Sequence, residues 1–200
     1  MIANRSHAKY WMVVVLALAG CFSTETKRDA INEINRVFKA EYEAILAKDG
    51  TRAFDVSPSR SFDAAIAALV KLGFVVQQQS RGLGYINAEA PAPLPLSRAE
   101  WDRTSALDLP KAKEILRKYF GPLAESFTFD PEGIDVVINA TILETNAGSE
   151  VSFTMRMREV APPKSGLPRR EYPPPTALRA GLEQLWDALD RELKTASRKQ

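Results

Sequence analysis

From Gly133 to Glu144 every second residue is apolar (Ile134, Val136, Ile138, Ala140, Ile142), and after Asn146-Ala147-Gly148 the pattern resumes at Val151, Phe153, Met155 and Met157. A period of two sends all nine side chains to one face of an antiparallel pair. Asp135, Asn139, Thr141, Thr154, Arg156 and Arg158 go to the other face. A hairpin that is greasy on one side only has to be covered on that side, so the chain must build a second layer. Two segments have the spacing for it. Thr176 to Lys194 sets Leu178, Leu182, Leu185, Leu189 and Leu193 three and four residues apart, with Trp186 beside them. A second helix runs to about Leu72, capped by Ser59 or Ser61, presenting Phe62, Ile66, Leu69 and Val70 and ending at Gly73.

The remaining periodic stretches complete the layer. Thr51 to Val56 reads as a strand. Phe74 to Gln78 and Leu83 to Glu89 read as a hairpin reversed at Ser80-Arg81-Gly82. Asp29 to Lys48 reads as a helix with Ile31, Ile34, Phe38, Tyr42 and Ile45 on one stripe and Gly50 as its stop. The order strand, helix, four strands, helix, preceded by an N-terminal helix over 29–50, predicts an α+β fold. It is a two-layer domain over 51–195, an antiparallel sheet with helices on one face, and 196–200 is a tail. Ala90 to Leu96 (APAPLPL) reads as a linker of polyproline character. Residues 97–132 read as an insertion holding a short helix, Ala112 to Phe120, opened by Pro110 and closed by Gly121-Pro122. A proline-rich loop spans Pro162 to Pro175.

Residues 1–20 belong to none of these layers. Arg5, His7 and Lys9 precede an apolar run, Tyr10 to Ala19, that is too short to span a bilayer and has the length of a signal-peptide core. It ends in Leu18-Ala19-Gly20-Cys21, which resembles the lipobox of bacterial lipoprotein precursors. The resemblance implies cleavage before Cys21, a diacylglycerol on its thiol and acylation of the new amine. Two or more acyl chains anchor stably, since each buried methylene contributes about 0.8 kcal/mol. Residues 21–28 then form a lipidated tether. Phe22 and Ser23 follow the cysteine, where an aspartate is the familiar inner-membrane retention signal, so the resemblance implies export and an outer-membrane anchor facing the periplasm.

Composition closes off several function classes. Without Arg5 and Lys9 the chain has 25 basic and 25 acidic residues, so no overall field draws it to nucleic acid. Its one histidine, His7, lies in the leader, and its one cysteine is Cys21. The mature chain therefore lacks the side chains most used for acid–base and nucleophilic work near neutral pH, and the usual zinc ligands. No catalytic residue, metal or cofactor is assigned, and the chain reads as a non-enzyme.

Arg52-Ala53-Phe54-Asp55, the helix end Lys71-Leu72-Gly73-Phe74, and Leu83-Gly84-Tyr85-Ile86 together resemble a recurrent, uncharacterised bacterial lipoprotein domain over residues 51–90. The arrangement is also similar to the helix-grip modules of outer-membrane assembly lipoproteins. The resemblance implies a fold and carries no catalytic residues.

Four residues stand out as partner contacts. Arg156 and Arg158 share the outward face of their strand, and with Arg169 and Arg170 of the following loop they suggest a basic patch for lipid head groups or an acidic partner. Trp101 is an interface candidate if exposed and a core contact if not. Tyr172 beside Pro173-Pro174-Pro175 suggests a docking segment or a rigid connector to the last helix. Glu183, Asp187 and Asp190 lie near one helix face, interleaved with Arg179 and Arg191, which favours solvated ion pairs over paired catalytic acids. Gly82 and Gly84 precede a strand, so they read as a turn.

These readings converge on a membrane-anchored envelope lipoprotein that binds an envelope protein partner without catalysis. One alternative is a carrier holding lipid between the sheet and the last helix, lined by Met155, Met157 and Trp186. Another is a hydrolase using serine or carboxylates, which would need a buried serine or acid beside lysine.

Overall fold

The structure is a computed structural model that describes residues 22–161 and 171–197. The leader, Cys21 and the loop arginines Arg169 and Arg170 lie outside the described residues.

Helix α1, Thr24–Asp49, buries Ala30, Ile31, Ile34, Phe38, Tyr42 and Ile45, the expected stripe. It begins earlier than the periodicity suggests. Ser23 caps it by accepting from the Thr26 amide at 3.1 Å, so most of the segment read as a tether is helix. Strand β1 is Thr51–Phe54. Helix α2, Pro58–Lys71, is capped by Ser57, two residues before the nearer of the expected caps, and Pro58 at its first position gives up an amide that has no partner there. Its buried side is small, Ala64, Ala65 and Ala68 between Phe62 and Leu69, whereas Val70 turns outward and is exposed.

Strands β2 (Val75–Ser80) and β3 (Tyr85–Pro91) form the expected hairpin, with a bulge at Gln77. The sheet continues in order β1-β5-β4-β3-β2, antiparallel throughout, where β4 is Ile134–Thr145 and β5 is Gly148–Glu159. The α+β arrangement is thus the expected one. All nine alternating apolar residues of β4 and β5 are buried, under α2 and the last helix α4, Pro175–Ser197.

Two expectations fail between β3 and β4. Ala90 and Pro91 are not linker: they finish β3, opposite Val136 and Asp135. The short helix at Ala112 is the second half of a longer one, α3, Arg98–Phe120. Its start is fixed by reciprocal caps: the Glu100 amide bonds the Ser97 hydroxyl, and the Ser97 amide bonds the Glu100 carboxylate. Pro110 lies inside it. An interior proline costs about 3 kcal/mol, offset here because both flanks are buried, Trp101, Thr104 and Ser105 before it and Ala112, Ile115 and Leu116 after it. A 3₁₀ turn, Gly121–Ser126, leads back toward β4.

Helix α4 takes its cap from another helix. The Thr176 amide donates to Asp108 of α3 at 2.8 Å and its hydroxyl at 3.1 Å. Burial, opposed by these two bonds, leaves the Asp108 carboxyl titrating above its ordinary value. A carboxyl raised in the folded state contributes stability when protonated and loses it as pH rises through the folded value. Asp108→Asn keeps the acceptor and removes the desolvated charge, so it should leave the melting temperature at neutral pH unchanged or raised. Asp108→Ala leaves the amide bare and should cost about 1 kcal/mol. Denaturant unfolding of the two variants checks this. A fall in stability for Asn equal to that for Ala would contradict it.

Candidate functional site: the open face of the sheet

Because the inner face takes the apolar alternates, the register delivers the polar alternates of four strands to the outer face, in rows. One row runs Gln78, Asn87, Asn139, Thr154. Asn139 is its hub. Its side-chain oxygen accepts from the Tyr85 hydroxyl and from the Asn87 amide, both at 2.9 Å, and its amide reaches the Thr154 hydroxyl at 3.4 Å. The neighbouring row carries Thr141 and, at the β1 edge, Ser152 and Thr51, whose hydroxyls lie 2.8 Å apart. These side chains are half-buried or exposed, held by one another and not by an overlying helix.

Toward the other end of the strands the face becomes charged. Arg158 donates to Glu89 at 2.6 Å and lies 3.4 Å from Asp135; Asp135 faces it directly on β4, while Glu89 of β3 stands opposite Val137 and is reached diagonally. Arg156 stands opposite Val137, its guanidinium 5.9 Å from the ring of Tyr42 and 5.7 Å from that of Tyr172. Its bond to Tyr42 holds its pKa above the ordinary arginine value, so the charge is permanent.

Arg156 and Arg158 are therefore brought together as expected, on one exposed face. Trp101 and Tyr172 are not surface contacts, and this corrects the reading that they meet a partner. Trp101 is 3% exposed and its indole donates to the Phe129 carbonyl at 2.8 Å, because the capped first turns of α3 point it inward. Tyr172 is 7% exposed, set edge-on to Tyr42, and Pro173, Pro174 and Pro175 are buried with it as the connector into α4. Asp190 pairs with Arg52 at 3.7 Å, while Glu183 and Asp187 are exposed on α4. Gly82 and Gly84 lie at the β2–β3 turn.

The space named for an apolar ligand is filled. Met155, Met157 and Trp186 are buried, and a Cβ placed on Gly181 of α4 would fall 2.5 Å from Met155 Cε, so the helix backbone rests directly on the sheet layer. The buried serines Ser61 and Ser149 bond to each other at 2.6 Å, fastening α2 to the β4–β5 hairpin. An open groove of about 760 Å³ beside the C-terminal ends of α2 and α4 exposes Lys71, Arg191 and Lys194. Lys71 is paired with Glu192, and Arg191 donates to the Asp187 carbonyl. Among the described residues no cluster of three metal-ligating side chains forms.

Sequence reasoning listed Asn139 and Thr154 as outward-facing but did not connect them. The connection runs through Asn87, and only the pairing of β3 with β4 makes it. Comparison of the chain with protein-family models, with curated proteins and with solved structures found no match.

Proposed function

We propose that the chain is an exported lipoprotein, anchored through acyl groups on Cys21 to the periplasmic side of the outer membrane, whose open sheet face docks another envelope protein without catalysing a reaction. The observation that carries the docking reading is the Asn139-centred row. It presents amide and hydroxyl groups with unused hydrogen-bonding capacity beside a permanent arginine charge, on a surface the fold leaves uncovered. The anchor reading is supported by the lipobox-like sequence before Cys21. No described helix is long and apolar enough to cross a membrane.

The test is photo-crosslinking in intact cells from Asn87 and Thr141 on the open face, with Val70 on the outer side of α2 as the comparison. One dominant protein adduct from the open-face positions, missing from Val70, is the expected result. Equal patterns from all three, or adducts with lipid alone, would refute the docking reading. Asn139→Ala should abolish the adduct while costing about 1–2 kcal/mol of stability, since its bonds are only part-buried and water can replace some of them. A folded variant that keeps full adduct would remove Asn139 from the interface.

A further inference from the structure

The folded domain begins one residue after the proposed anchor. Phe22 packs edge-to-face on Phe120, the last residue of α3, with ring centroids 5.0 Å apart and planes at 81°, and Ser23 already caps α1. Consecutive Cα atoms are about 3.8 Å apart, so there is no slack between Cys21 and the first packed side chain. A domain carried on a long flexible tether can tumble above the bilayer; this one has no length to do so.

We infer that the end of the domain formed by Phe22, the C-terminal turn of α3 and the 3₁₀ turn after it rests in the head-group layer of the membrane, and that α1 carries the rest of the domain away from it. The inference depends on acylation of Cys21 as proposed above. The occupant of this surface is a lipid bilayer because the acyl chains leave the protein there, and because of the side chains that surround the exit. Phe22, Tyr119, Phe120 and Leu123 are half-buried and leave apolar surface in water, and aromatic rings of this kind favour the membrane–water interface. Charge is not the driving force. Lys118 is paired with Glu33 at 2.7 Å, Arg28 lies within 4.0 Å of Glu25 and Asp29, and Arg117 and Lys113 share the carboxylate of Glu125, so acids offset most of the positive charge at this end. The contact should therefore be insensitive to salt. Twenty-six residues of α1 at about 1.5 Å each put its other end roughly 39 Å along the helix.

The mature chain has no cysteine besides Cys21, so a second one can be labelled alone. Full-length Ser126→Cys and Pro122→Cys, at exposed positions of the 3₁₀ turn, and Leu83→Cys, 77% exposed at the β2–β3 turn, are expressed, purified in lipidated form and tagged with a small fluorophore. Each is reconstituted into phosphatidylethanolamine–phosphatidylglycerol vesicles with and without brominated acyl chains. Apolar groups at the interface are buried about 5–10 Å into the head-group/acyl boundary, so Ser126 and Pro122 labels beside them should lose about half of their fluorescence or more. The Leu83 label should lose almost none, and the difference should persist at high salt. Flotation with the vesicles but no quenching at Ser126 or Pro122, equal quenching at all three positions, or quenching that salt abolishes would overturn the apposition and leave the anchor intact. Failure of the protein to float with the vesicles would overturn the anchor and the apposition together.

Discussion

Trp186→Ala should be the most damaging single side-chain truncation among the described residues, costing about 3–5 kcal/mol. The indole is 1% exposed and lies where three parts of the chain meet. Its ring is 4.7 Å from that of Phe153 on β5 and 6.3 Å from that of Phe54 on β1, and the Arg52 guanidinium lies 4.8 Å from its centroid. Its N–H donates to the Asp49 carbonyl at 2.8 Å, which ties the end of α1 to α4. Truncation opens a cavity and leaves that carbonyl without its donor, and the surrounding backbone is too constrained to collapse. For a domain of this size the melting temperature should fall by roughly 10 °C or more. Trp186→Phe keeps most of the ring volume and should cost about 1–2 kcal/mol, mainly the lost bond. If thermal unfolding shows the two variants equal, the cavity argument is wrong.

Gly84→Ala should cost about 3–5 kcal/mol although it adds one methyl group. Gly84 has φ +60°, a left-handed conformation that costs an L-residue about 1–2 kcal/mol. A Cβ there would fall 1.9 Å from the carbonyl oxygen of Ile142. The obstacle is backbone, so no rotamer change relieves it. The chain has to move apart at the point where the Ile142 amide donates to the Gly84 carbonyl at 2.7 Å, and loss of that pairing adds about 1–3 kcal/mol. Gly82→Ala is the comparison, because a Cβ on Gly82 meets nothing within 4 Å. It should lie within about 0.5 kcal/mol of the parent. Denaturant midpoints for the pair decide the matter, and near-equal values would refute the steric account.

The elements that could be read from sequence are those whose apolar residues keep one period from end to end. β4 and β5 alternate without a break, and α4 repeats leucine every three or four residues, so their buried faces follow from the order of residues alone. The first half of α3 was missed because its buried stripe is Trp101, Thr104 and Ser105, two of them polar, and because Pro110 interrupts the pattern. The signal was present as Ser97 and Glu100, three residues apart in a capping box. The start of α1 was missed for a related reason: from Thr24 to Asp29 the helix buries nothing apolar, and only Ser23 marks it.

The candidate site divides the same way. Arg156 and Arg158 were legible because two residues on one strand share a face whatever the strand pairs with. Asn87 and Asn139 are 52 residues apart and meet because β3 and β4 pair across the whole α3 excursion, which no local pattern encodes. Trp101 and Tyr172 show the limit from the other side. An aromatic in a polar or proline-rich stretch reads alike whether it covers a neighbour or meets solvent, and here burial decides it.

Strand β1 pairs with β5, and the Thr51 and Ser152 hydroxyls that meet there are 101 residues apart. The half of β5 that β1 does not reach is closed by the Gly50 carbonyl, which takes the Phe153 amide, and by the Glu171 carbonyl, which takes that of Met157. The first strand is thus an edge strand whose partner is the last described strand, and loop-closure entropy has to be overcome before either gains anything from the pairing. A chain emerging N-terminus first holds the apolar stripes of α1 and α2 in the open until β5 and α4 arrive. Its folding should be slow and all-or-none, with the N-terminal half dependent on a chaperone's grip for as long as the C-terminal half is still unmade.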